Sequence, residues 1–179
     1  LRGEGVTVPG PYVNLEKEDF AKANSFTKNQ PIAGTYYFYW YDVKSGQHFV
    51  NADGSDALTD HPASREGYSY KSADWHRGEL EAMQEAGLDF LLPVYWGAPA
   101  DLSPGDMYYW SFEGLEKLVE ARDKMLEQGK QPPRIGMFYD TTTLKQNEAG
   151  YHADLRTEKG REWFYNTIRD YFSLLPPRH

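Results

Sequence analysis

The chain has 179 residues, a length that suits one compact domain. Its 19 Lys and Arg against 27 Asp and Glu give a net charge of −8, so the domain is acidic. This charge argues against binding to nucleic acid or to an anionic membrane, because a phosphate track requires clustered positive charge, and no apolar run reaches the roughly 18 residues that span a bilayer. The absence of cysteine excludes disulfide scaffolds, thiolate metal sites and thiol nucleophiles.

The first segment, residues 1–32, is polar and contains three prolines. It predicts an extended or partly helical lead-in before a domain over residues 33–179. The sequence opens with LRGEGVTVPG, as a mature or trimmed terminus would, and not with a secretion signal.

Three short apolar runs, over 35–42, 88–97 and 134–140, predict three buried strands. Helical spacing of apolar residues predicts a helix after each strand, with a Ser or Thr cap at its start and a glycine or proline at its end. Because the strands are apolar on both faces, they predict a parallel sheet covered by helices. The predicted helices run over 72–87, 111–129 and 157–175.

The connections from strand to helix are much longer than those from helix to strand. They span residues 43–72, 98–110 and 141–156, against the roughly 2–6 residues usual in α/β units. Long loops therefore gather at the carboxyl ends of the strands, where both TIM barrels and doubly wound sheets bind their ligands. We expect the functional site at this rim.

The first of these loops favours a barrel over a nucleotide-binding sheet. The segment YDVKSGQHF, which leads from the first predicted strand into this loop, contains no glycine-rich phosphate motif, so no nucleotide cofactor is expected. The fold class predicted is a (β/α)8 TIM barrel, which needs about 250 residues. The chain would hold about the first three βα units, with the remaining barrel segments in the full-length chain. The alternative is a small open α/β domain that is complete in 179 residues.

Two carboxylates, Asp42 and Asp140, each lie at a predicted strand end. Glycoside hydrolysis uses a pair of carboxylates as acid, base or nucleophile, so both are candidate catalytic residues. The competing interpretation is structural, because buried carboxylates usually accept hydrogen bonds from nearby loops.

Aromatic residues are frequent, at 16% of the chain, and Tyr and Trp together outnumber Phe about two to one. The hydroxyl of Tyr and the indole N–H of Trp suit partly solvated surfaces that bind flat, hydroxylated ligands such as carbohydrate. Core packing is an equally good explanation for any single ring. The predicted substrate-binding residues at the strand ends are Tyr39, Trp40, Tyr41, Tyr95, Trp96 and Tyr139.

Histidines supply one further candidate. His61 lies in the long first loop and could donate or accept hydrogen bonds with sugar hydroxyls, or could merely stabilise the loop. His48 and His76 are more consistent with structural roles. No H-x-x-x-H or H-E-x-x-H pair occurs, and the acidic segment 51–60 lacks calcium-loop spacing, so we expect no metal.

Three segments resemble a known family: AGTYYFYWYD, SYKSADWHRGELEAMQEAGLDFLLPVYWG and PPRIGMFYDTTTL. They are similar to a bacterial domain-of-unknown-function family of proposed glycoside hydrolases, related to the TIM-barrel clan of glycoside hydrolase families 71 and 99. The resemblance covers about 33–179 and implies a barrel that acts on polysaccharide. In those families the catalytic acids come from later strands, so none carries over. The substrate-lining positions that it does imply are Tyr37, Tyr39, Trp40, Tyr95, Trp96, Tyr139 and Asp140.

The leading hypothesis is therefore a secreted or periplasmic glycoside hydrolase that acts on a poly- or oligosaccharide at the carboxyl ends of its strands. The alternative is a non-catalytic carbohydrate-binding module on a degenerate barrel. Such a module would keep the aromatic residues but would need no pair of carboxylates.

Overall fold

The computed structural model of the protein describes Tyr12, Lys17 and residues 26–96, 109–141 and 154–179. The predicted alternation of strands and helices is confirmed within these residues. Most of the predicted lead-in and most of the loops 98–110 and 141–156 lie outside them. The elements in chain order are β1 (Gly34–Tyr37), α1 (Ala73–Glu85), β2 (Phe90–Tyr95), α2 (Tyr109–Glu127), β3 (Arg134–Ile135), β4 (Phe138–Tyr139) and α3 (Glu158–Ser173).

The strands form one parallel sheet with β2 in the centre. β1 pairs with one edge of β2, and β3 and β4 pair with the other edge at the same residue offset. β3 and β4 are therefore two halves of one interrupted strand. They correspond to the single strand predicted over 134–140.

The first strand ends earlier than predicted, at Tyr37 rather than at Asp42. From Asp42 onward the chain pairs within the following loop, where Asp42 forms antiparallel bridges with both Gln47 and Ser69. The long loop 43–72 thus competes for the backbone groups that would otherwise extend β1.

Alternate side chains of a strand point to opposite faces of the sheet. The register pairs odd-numbered residues with odd-numbered residues on the neighbouring strand, so all odd-numbered side chains share one face. The odd-numbered side chains form the helix-covered face, which all three helices contact. These contacts are Tyr37 with His76 of α1, Tyr39 with Ser111 of α2, and Tyr95 with Tyr171 of α3. The even-numbered side chains form the open face, which includes Tyr36, Phe38, Leu92 and Phe138 and, at its centre, the buried Val94.

A buried histidine joins three elements behind the helix-covered face. His76 Nε2 lies 2.9 Å from the carbonyl oxygen of Tyr70, and its Nδ1 lies 2.8 Å from the hydroxyl of Tyr37. The carbonyl can only accept, so Nε2 carries the proton and Nδ1 accepts from the hydroxyl. Burial lowers the pKa of His76 to about 4, so the imidazole is neutral at neutral pH. The predicted structural role of His76 fits this geometry.

The predicted helix boundaries are largely confirmed. The side chain of Ser72 accepts a hydrogen bond at the start of α1, and that of Thr157 does so at the start of α3. Gly87 and Gly129 follow α1 and α2 with positive φ angles of 76° and 75°, the left-handed conformation that favours glycine at a helix end.

The start of α2 is the exception. The helix begins at Tyr109, so Ser111 lies inside its first turn and is not the cap that the sequence predicts. Its hydroxyl instead accepts a hydrogen bond from the backbone N–H of Trp96, at 3.2 Å. The serine thus fixes the end of β2 against α2.

After each helix, the chain re-enters the sheet next to the strand that preceded that helix. The backbone N–H of Asp89 donates to Ala33, and that of Arg134 donates to Asp89. After α3, the carbonyl of His179 accepts from the N–H of Ile135 at 2.8 Å, so the third return also reaches the sheet. The buried guanidinium of Arg122 holds this return through its contact with Nδ1 of His179 at 2.7 Å.

Candidate functional site

Three of the predicted site residues meet on the open face at the carboxyl ends of the strands. The parallel registers, continued past the strand ends, put Trp40 beside Trp96 and Trp96 beside Asp140. The indole N–H of Trp96 donates to Asp140 Oδ2 at 2.9 Å, and the rings of Trp40 and Trp96 meet edge to face with centroids 6.2 Å apart. All three are half-buried, so they form an accessible wall and not a sealed core.

A third indole supports this wall from α2. Trp110 is 2% exposed, and its ring lies 5.9 Å from that of Trp40 and 5.4 Å from that of Trp96, centroid to centroid. Because edge-to-face contacts fix ring orientation, the two half-buried indoles have defined positions before any ligand arrives.

A continuous row of rings runs down the open face from the wall. Trp40 contacts Phe38, Phe38 contacts Phe138 and Phe138 contacts Tyr36, with ring centroids 5.0–5.6 Å apart. Tyr36 and Phe38 are 61% and 38% exposed, although both are large and aromatic. The open face is therefore an exposed aromatic surface that ends in the polar groups of Trp96 and Asp140.

Three predicted substrate-binding tyrosines lie on the other face of the sheet. Tyr39 and Tyr95 are completely buried, and the hydroxyl of Tyr39 donates to the carbonyl of Ser111 at 2.6 Å. Tyr139 faces α3, where its ring lies 5.0 Å from that of Phe164. The structure therefore assigns Tyr39 and Tyr95 to the core, because odd-numbered side chains point towards the helices.

Asp42 lies apart from the wall and anchors the first loop. It is 2% exposed, and it accepts hydrogen bonds from the hydroxyls of Ser45 and Ser69, at 2.7 and 2.8 Å, and from the Lys71 ammonium. Burial by itself raises the pKa of Asp42, but these three donors outweigh it and hold the pKa below its usual value. The catalytic role of Asp42 stays a prediction, and this enclosure favours the structural alternative.

The other two predicted residues of this region differ in their surroundings. His61 is exposed, and its contact is with Asp56, whose carboxylate it meets at 2.8 Å and which also pairs with Arg65. The structure does not bring His61 to Trp40 or Trp96. Tyr41 is half-buried beside the wall, and its ring meets those of His48 and Phe49.

Sequence reasoning gave too little weight to His48. Its imidazole stacks on the indole of Trp40, with centroids 4.6 Å apart and planes 16° from parallel. Burial lowers the pKa of His48. The sequence signal for this position was weak, because a single histidine in a loop is equally consistent with a structural role.

The described residues contain no group of three or more His, Asp or Glu side chains that could hold a metal ion. None of the helices in this part of the chain is both long and apolar enough to cross a membrane. Among the described residues, the side chains of the wall and its neighbour His48 supply two indoles, one carboxylate and one imidazole.

Comparison with known proteins identifies the family. Residues 16–179 match a family of domains of unknown function, DUF5010. The chain belongs to the DUF5010 family. No curated protein and no solved structure matches this DUF5010 chain.

Proposed function

We propose that this DUF5010 chain forms part of a glycoside hydrolase whose carbohydrate cleft includes Trp40, Trp96 and Asp140. The observation that carries the proposal is the convergence of these three side chains, from three neighbouring strands, on one accessible rim. Indole rings pack against the C–H faces of sugars, and carboxylates accept hydrogen bonds from sugar hydroxyls. The acidic net charge favours a neutral saccharide over a phosphate-bearing ligand.

The proposed architecture is the (β/α)8 barrel, of which this chain holds about three βα units. Its support is that all three helices contact the same face of the sheet, as in a barrel, whereas a doubly wound sheet is covered on both faces. A barrel would enclose the aromatic row of the open face in its interior. The return of the chain to β3 at His179 is where a further strand would join.

The proposed chemistry assigns Asp140 to the reacting sugar. The Trp96 N–H fixes one of its oxygens, and a carboxylate can accept further hydrogen bonds from the substrate at the same time. Hydrolysis needs a second carboxylate about 5–9.5 Å away. Asp42 is enclosed by Ser45, Ser69 and Lys71, so we place the second carboxylate in the remaining barrel segments. As in the sequence-based hypothesis, a secreted or periplasmic location suits an enzyme that degrades polysaccharide.

The test is binding and turnover by the full-length protein on a panel of gluco-, manno-, galacto- and xylo-tetrasaccharides. Trp96→Ala and Asp140→Asn should each weaken binding or hydrolysis at least 10-fold, because the first removes an indole of the wall and the second removes the negative charge of the carboxylate. Tyr165→Ala removes a ring that is 62% exposed on α3 and serves as the matched control, which should behave as wild type. Unchanged binding and turnover in both wall variants would place the site elsewhere.

A non-catalytic carbohydrate-binding module is the second candidate. The observation that favours it is the enclosure of Asp42, which leaves Asp140 as the candidate carboxylate of the wall among the described residues. Turnover separates the two candidates. Tetrasaccharide binding that depends on Trp96, without release of any product by the full-length protein, would favour the module.

A further inference from the structure

His48 has an unusual backbone conformation. Its φ angle is 58°, and no other described residue except glycine has a positive φ. Side chains with a Cβ rarely adopt this left-handed conformation, and residues held there cluster at binding and catalytic sites. Two questions follow: which local contacts hold His48 in this conformation, and whether the conformation positions its side chain for binding.

The cause is a short turn that is fixed on both sides of His48. The backbone N–H of Asp42 donates to the carbonyl of Gln47, and the N–H of Phe49 donates to that of Gly46, at 3.1 and 3.0 Å. Phe49 is 2% exposed and packs against the ring of Tyr41. The left-handed residue turns the chain so that Phe49 enters the core while His48 lies over Trp40.

The imidazole of His48 also differs from the other described histidines in its hydrogen bonding. His61, His76 and His179 each pair through a ring nitrogen with a carboxylate, hydroxyl, carbonyl or guanidinium group. Within the described residues, His48 has ring contacts with Trp40 and Tyr41 but no hydrogen bond at either nitrogen. His48 is half-buried, but neither ring nitrogen is completely enclosed, so a ligand can reach them.

We propose that His48 is a specificity-determining residue that hydrogen-bonds a hydroxyl of the saccharide next to Trp40. This inference rests on the proposed carbohydrate-binding function and deepens it. A neutral imidazole has one donor and one acceptor nitrogen, which matches a sugar hydroxyl or a pair of adjacent hydroxyls. The stack on Trp40 and the fixed turn hold the imidazole in place before binding, so little conformational entropy is lost.

The test uses the tetrasaccharide that the wild-type protein binds most tightly, with affinity measured by calorimetry. His48→Phe keeps an aromatic ring on Trp40 and removes both nitrogens, and it should bind about 5- to 10-fold more weakly. His48→Asn tolerates the left-handed backbone and keeps an amide, so it should retain more affinity than His48→Phe. His61→Phe alters a histidine in the same loop and should bind as wild type. Thermal unfolding reports whether each variant is folded.

A second readout does not depend on a variant. Carbethoxylation by diethyl pyrocarbonate, mapped by mass spectrometry, should modify His48 because its nitrogens are accessible, and the bound tetrasaccharide should protect it. His61 should be modified equally with and without the sugar.

The outcomes separate the two proposals. Wild-type affinity in His48→Phe, or no protection of His48 by a sugar whose binding requires Trp96, would overturn the role of His48 and leave the proposed function standing. If no tetrasaccharide binds the wild-type protein, the proposed function fails, and the role of His48 fails with it.

Discussion

The two faces of the parallel sheet carry aromatic side chains of similar size in very different surroundings. Tyr37 and Tyr39 on the helix-covered face are 5% and 0% exposed, whereas Tyr36 and Phe38, which alternate with them along the chain, are 61% and 38% exposed. The hydroxyls of the covered tyrosines are used by His76 and by the backbone of α2. Residue type therefore does not separate core from candidate site in this protein, and the position along the strand does.

The largest expected effect compares one tyrosine from each face. Tyr39→Ala removes a fully buried ring and should lower the free energy of unfolding by about 3–5 kcal/mol. In the 179-residue chain by itself, Tyr36→Ala removes a ring that is mostly exposed and should cost less than about 1 kcal/mol. Urea denaturation of both variants measures the difference. Equal losses would mean that the open face is covered in solution.

The next comparison sets the carboxylate of the loop against that of the wall. Asp42→Asn weakens hydrogen bonds from Ser45, Ser69 and Lys71 and should cost about 1–3 kcal/mol at neutral pH, whereas Asp140→Asn should affect stability much less. Because the folded-state pKa of Asp42 is lowered, its stabilisation is present above its unfolded pKa, near 3.8, and is lost as the pH falls below it.

Urea denaturation of the Asp42 variant at pH 7 and pH 3 checks both parts of this prediction. The wild type should lose more stability on acidification than Asp42→Asn does. An identical loss in the two proteins would contradict the assignment of Asp42 as a loop anchor.

A third comparison uses two glycines, one against each face. A Cβ at Gly114 would lie 2.5 Å from the ring of Tyr39, which is enclosed on all sides, so Gly114→Ala should cost about 1–3 kcal/mol through overpacking. A Cβ at Gly136 would meet the tip of Leu92 at 2.6 Å. Leu92 is half-buried on the open face and can move, so Gly136→Ala should cost less than about 1 kcal/mol. Thermal unfolding should rank the two variants in this order.

The smallest effect at neutral pH is expected for His76→Gln. The amide can accept from the hydroxyl of Tyr37 and donate to the carbonyl of Tyr70, so the cost at pH 7 should be about 1 kcal/mol. The folded-state pKa of His76 is about 4, below its ordinary 6.5. The unfolded chain therefore binds the proton first, and His76 destabilises the fold as the pH falls from 6.5 towards 4.

Urea denaturation across that pH interval should show a shallower decline for His76→Gln than for the wild type. His179, whose pKa is also lowered to about 4, would maintain part of the decline in both proteins. A variant whose stability falls as steeply as that of the wild type would show that His76 is not neutral in the folded protein.

The sequence by itself determined the alternation of three strands and three helices. The periodicity of apolar residues and the glycines after α1 and α2 are local signals, and local hydrogen bonding follows them. It also determined that Trp40, Trp96 and Asp140 lie near strand ends, since each of them comes at or close to the end of an apolar run that predicts a strand.

Only the tertiary structure decided which of the rim residues share a face. Successive side chains of a strand point to opposite faces, and a shift of one residue in the register would exchange the faces. Tyr39 is therefore completely buried, whereas its neighbour Trp40 is half-buried. The role of Asp42 depends on Ser69, and that of His48 depends on a turn that brings it back onto Trp40. These contacts are made between residues that lie apart in sequence, and the loop that creates them has no periodic pattern from which its path could be predicted.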